Sequence, residues 1–161
     1  MKNDDAILLK KYLSRYYRAK QRNAILKNRL AEISEELEHP SMPPCKTDAM
    51  KVDTSEGGEG AASLVFKKAD VEDRIQKQIE SEVQIILDIN DVLECLPSDS
   101  VERSILELRH LDCKGWGYIS RATHLTRSPC YDHYKKGIRM LLQYPFVQKK
   151  LEAYKNHTRT E

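Results

Sequence analysis

No stretch of this 161-residue chain approaches the roughly 18 consecutive apolar residues that a membrane-spanning helix needs. A secretory leader is not expected either, because Asp4 and Asp5 stand where such a segment would carry basic charge ahead of an apolar core. Both absences point to the cytoplasm. Of the four cysteines, Cys45, Cys95, Cys113 and Cys130, no two form a CxxC pair, and none is spaced from a histidine as zinc ligands are. They read as free, reduced thiols, and no metal is expected. The glycines at 57, 58 and 60 lack the Lys-Ser/Thr that a phosphate-binding loop requires. His110, His124 and His133 have no nucleophile motif beside them, and no cofactor or catalytic role is read from the chain.

What the chain has in excess is charge. Charged residues make up 32% and hydrophobic residues 40%, a balance that suits long exposed helices better than a large core. The net charge of +2 conceals an uneven distribution. Residues 1–39 carry 9 basic and 6 acidic side chains, residues 40–100 carry 6 and 13, and residues 101–161 carry 12 and 6. A basic last third attached to an acidic middle points to a polyanionic partner for the former.

From Leu9 to Leu37, the positions Leu9, Tyr12, Tyr16, Ala19, Asn23, Leu26, Leu30, Ile33 and Leu37 follow one another at spacings of 3 and 4. That is the seam of one uninterrupted amphipathic helix, starting near Asp4 and stopping at His39 ahead of Pro40. Asn23 in the seam either fixes register or sits exposed on a helix edge. Residues 40 to about 63 gather proline, glycine and small polar residues and read as a flexible linker. A second long helix then runs to Leu96 with Ile75, Ile79, Ile86, Ile89, Leu93 and Leu96 on its seam and Glu82 out of place. The two stripes must be buried, in an antiparallel hairpin or against a second copy as a homodimer.

Past Pro97 the elements become short. Asp99 and Glu102 have capping-box spacing and open a helix with Val101, Ile105, Leu108 and Leu111 on its apolar face. Gly115 and Gly117 bracket Trp116, which reads as a packed anchor between short helices, and a helix with Tyr118, Ile119 and Ala122 runs to about His124. Leu125, Thr126 and Arg127 form a tight connection, and Ser128 caps a helix from Pro129 to Gln143. That helix would bury Tyr131, Tyr134, Ile138 and Leu141 or Leu142, and expose Cys130, His133, Lys135, Lys136 and Arg139. A last helix spans Pro145 to Tyr154. Helix, short helix, turn and capped basic helix is the order of a helix-turn-helix. Lys135, Lys136 and Arg139 suit phosphates; Cys130, Tyr131, Asp132 and His133 lie at the base-reading end, next to Arg127 and Ser128.

The run from Ile105 to Asp112, then Trp116, Ile119 and Ala122, then Leu125-Thr126-Arg127-Ser128 and the helix to Leu142 resembles the DNA-reading C-terminal module of bacterial sigma factors. The layout of the whole chain is similar to small phage-encoded transcriptional regulators of Gram-positive bacteria. The chain departs from the sigma pattern at Gly117 and Tyr118, and again at Tyr131 and Asp132. The resemblance implies binding of double-stranded DNA and control of phage or prophage genes, with the N-terminal helices supplying dimer contacts or a docking surface for RNA polymerase.

The expectation is therefore an all-α protein: a long helical hairpin or coiled coil over 1–96, then a sigma-like helix-turn-helix module over 97–161. Two rival readings use the same residues. One is a coiled-coil interaction or structural protein without DNA binding, and the other is a DNA-packaging recognition subunit.

Overall fold

A computed structural model of the chain describes residues 2–40 and 60–158. Within these residues the protein is all-α, with seven helices and no strand. They are α1 (Lys2–Leu13), α2 (Arg15–Glu38), α3 (Ala61–Leu93), α4 (Val101–His110), α5 (Trp116–Ala122), α6 (Arg127–Leu141) and α7 (Pro145–His157). The chain divides into two compact units, one of Met1–Lys20 with Ser81–Glu161 and the other Gln21–Glu80. The expected division at 96–97 is not where the contacts divide.

In the first unit, α1 packs on α6 and α7, and α6 packs on α4 and α5. Leu9, Tyr12 and Leu13 of α1 join Ile89, Val92, Leu93, Leu96, Ile105, Leu106, Ile119, Cys130, Tyr134, Ile138, Leu141, Val147 and Leu151 in one core. Polar contacts pin its edge. The Arg15 guanidinium meets Asp88 at 3.4 Å and lies 3.9 Å from the centre of the Tyr12 ring. Lys150 of α7 reaches the same Asp88 at 3.3 Å.

The helix expected to run unbroken from Asp4 is divided at Ser14 between α1 and α2. The i to i−4 ladder bridges the division, with Ser14 N–H on the Lys10 carbonyl and Arg18 N–H on that of Ser14. Arginine side chains serve the carbonyls alongside: Arg15 Nε donates to Tyr12 O at 3.1 Å, and Arg18 Nη2 donates to Lys11 O at 2.8 Å. A helix bends where outside donors take up its carbonyls.

In the second unit, Arg29, Ile33 and Glu36 of α2 and Leu64, Lys67 and Val71 of α3 line one shallow groove. Asn23 is buried and its Oδ1 has no hydrogen-bond partner among the described residues. The edge reading of Asn23 is thereby corrected. Leu26, Leu30, Ile33 and Leu37 are only half-buried.

The expected seam of α3 is buried at Ile75, Ile89, Leu93 and Leu96 and half-buried at Ile86, but Ile79 is 37% exposed. Gln78, Ile85 and Val92 beside it are covered as well, and Glu82 is half-buried. Helix α3 starts at Ala61, inside the expected linker, and ends at Leu93. Most of that linker, with Cys45, lies outside the described residues.

Candidate nucleic-acid interface

Helix α4 opens differently from the expected capping box. Ser100 is the N-cap and its hydroxyl accepts from Arg103 N–H at 3.2 Å, while Asp99 accepts from the Ser98 hydroxyl. The buried face is Glu102, Ile105, Leu106 and His110; Val101 is exposed, and Leu108 and Leu111 are half-buried. His110 puts Nε2 3.2 Å from the Tyr134 hydroxyl of α6. Burial, and secondarily the Arg109 charge, pushes its pKa down to about 4.

The turn between α5 and α6 is Thr123 to Thr126, slightly earlier than expected. It closes by Leu125 N–H on the Ser120 carbonyl and His124 N–H on that of Arg121, with His124 at φ 55°. This is the six-to-one, five-to-two pairing that ends a helix through a left-handed residue, normally glycine. Thr126, not Ser128, is the N-cap of α6, and no side chain caps it. Pro129 is the third helical residue, where its missing N–H is still one the helix could not use.

The face that α6 buries is turned by one position from the expected one. Cys130 is fully buried and so cannot meet a base edge, a correction to its assignment as a DNA-reading residue. Tyr131, expected inside, is 45% exposed. The reason is local packing: the Trp116 ring takes Tyr131 against it, centroids 4.5 Å apart, and the small thiol of Cys130 fits the α5–α6 junction 3.5 Å from Thr123 Oγ1. Trp116 itself is half-buried, edge-on to Tyr134 at 5.4 Å, with the Arg109 guanidinium 5.3 Å from its centre. It anchors the short helices as expected, though from the rim.

On the outer side of α6, Arg127, Ser128, Asp132, Lys135 and Arg139 are exposed. Four of them, Ser128, Asp132, Lys135 and Arg139, follow each other at spacings of 4, 3 and 4 and so share one strip. The Lys135 ammonium lies 5.7 Å from the Tyr131 ring centre. Arg139 Nε donates to the Lys135 carbonyl, leaving the rest of its guanidinium outward.

His133 and Lys136 are placed otherwise. Both converge on a carboxylate that the capping-box spacing had assigned to a helix start, Glu102 of α4: Lys136 Nζ stands 2.7 Å and His133 Nδ1 3.0 Å from Oε1. The Glu102 side chain is 8% exposed. Its pKa falls to about 2, chiefly through the Lys136 hydrogen bond and then that of His133, against the opposing effect of burial. The helices meet closely here, since a Cβ on Gly137 would stand 2.8 Å from Leu106 Cδ1 and 3.2 Å from Glu102 Cβ. A contact across 31 residues between a carboxylate and a histidine leaves no mark on local periodicity.

Other cations lie near aromatic rings, with Lys114 4.9 Å from the Tyr118 ring centre and Lys10 of α1 5.9 Å from that of Tyr134 on α6. Among the described residues no group of three or more His, Cys, Asp or Glu side chains is arranged to hold a metal ion, and no helix is long and apolar enough to cross a membrane. Cys95, Cys113 and Cys130 are free thiols. Comparison of the chain with family models, curated proteins and solved structures finds no match.

Proposed function

We propose that α4, α5 and α6 bind duplex DNA as a helix-turn-helix, with α6 in the major groove, and that the protein regulates transcription without catalysing a reaction. One observation supports this above the others. Helix α6 is packed from behind by Cys130, Tyr134, Ile138 and Leu141, while its opposite side offers Arg127, Ser128, Asp132, Lys135 and Arg139 to solvent. Guanidinium and ammonium groups on an outward helix face meet phosphates and guanine edges, and hydroxyl and carboxylate groups discriminate among bases. The sigma-like sequence pattern over the same residues supports a promoter as the target and RNA polymerase as a further partner. Apolar residues that α3 leaves exposed, Val83 and Leu87 among them, suit pairing with a second copy.

The test is a salt titration of binding to duplex DNA. Replacing Lys135 and Arg139 together by Ala should flatten the slope of log affinity against log salt by about two units, about one for each phosphate no longer neutralised. An unchanged affinity and slope would remove α6 from the interface and favour a protein-interaction role. Selection of bound genomic fragments then separates promoters from packaging sites.

A further inference from the structure

Two flanks of α6 carry cations, and α4 treats them differently. On one flank Lys135 and Arg139 form no ion pair among the described residues, Asp132 standing exposed on the same strip. On the other, His133 and Lys136 share the Oε1 of Glu102 at 3.0 and 2.7 Å. A cation already hydrogen-bonded to a carboxylate must surrender that bond before it can neutralise a phosphate, and the carboxylate left behind repels the same phosphate. Glu102 cannot easily swing away. It stands on the first turn of α4 with its side chain 8% exposed, where a Cβ on Gly137 of α6 would lie 3.2 Å from its own Cβ.

We propose that the polyanion-binding surface of α6 is one-sided: Lys135 and Arg139 take phosphates of duplex DNA, while Glu102 withholds Lys136 and His133 and so sets the affinity below what the charge of α6 would give. This deepens the DNA-binding reading and rests on it. Glu102 is a positioning residue here, acting on DNA only through the two side chains it holds. In this arrangement a change of charge at one buried position of α4 tunes the binding of a helix it does not belong to.

Four single-chain variants read the effect against wild type on the same duplex, each checked for folding by its melting curve. Lys135→Ala should flatten the salt slope by about one unit, and Lys136→Ala by much less, because its charge is already spent on Glu102. Glu102→Gln keeps the volume, frees the ammonium, and should tighten binding and steepen the slope by about one unit. Adding Lys136→Ala to Glu102→Gln should cancel that gain. Equal losses from Lys135→Ala and Lys136→Ala in the wild-type background, both exposed positions whose replacement leaves the core alone, would overturn the proposal even if Glu102→Gln failed to fold. Equal affinity of wild type and Glu102→Gln would overturn it as well. Absence of any DNA binding by wild type would overturn the underlying reading and the proposal with it; binding that is present but even-handed overturns the proposal alone.

Discussion

His110 shows how a single side chain ties stability to pH. Held neutral beside the Tyr134 hydroxyl, it has its pKa pushed by burial from 6.5 down to about 4. An unfolded chain takes up the proton near 6.5, whereas the folded chain resists it until about 4. The stability that this difference supplies is therefore complete above pH 6.5 and is lost as the pH falls toward 4, on the order of 3 kcal/mol. Urea unfolding at pH 7.0 and at a pH of about 4.5 should differ by that order, and His110→Gln should flatten the difference between them. A histidine expected from sequence only to lack a catalytic partner thus proves to be a core residue. Cys130 and Tyr131 show why single positions are hard to read: both fit an interior, they stand one step apart, and only the distant Trp116 ring settles which one faces out.

At the scale of elements, helix existence and order were legible, because heptad spacing and the prolines at 40, 97 and 145 speak locally. Register was less so. Helix α3 is apolar on two adjoining faces, and the run of isoleucines at 75, 79, 86 and 89 draws the eye to Ile79 while the covered position is Gln78. The difference is measurable. Ile89→Ala empties a fully buried site and should cost about 2 to 5 kcal/mol. Ile79→Ala removes a partly exposed side chain and should cost under about 1 kcal/mol. Denaturant unfolding of the two variants orders them, and the reverse order would place Ile79, not Ile89, in the core. The α4–α6 ion contacts were not legible at all, since partners at 102 and 136 are joined only by the fold.

For the molecule as a whole, the contacts do not divide at Pro97, which lies just past the end of α3. Leu9, Tyr12 and Leu13 of α1 stand in the same core as Ile105 of α4 and Leu141 of α6. Residues 97–161 alone would leave that apolar surface uncovered. Deleting residues 2–13 should therefore abolish a cooperative melt of the C-terminal helices, as followed by circular dichroism and by Trp116 fluorescence. A truncated chain that melted as sharply as the intact one would show the module to be autonomous.

The packing of α1 on α7 also bears on how the chain is made. Contacts between residues more than 130 positions apart cannot form until synthesis has passed α7, and closing so long a loop is among the slow steps of folding. During synthesis α1 waits with Leu9, Tyr12 and Leu13 unpaired, an apolar strip of the kind that chaperones hold and that associates with its neighbours when left bare. The proposed DNA-reading helix would accordingly become firm late, once α7 has emerged and α1 has docked, so that unfinished chains would not compete for the same duplex.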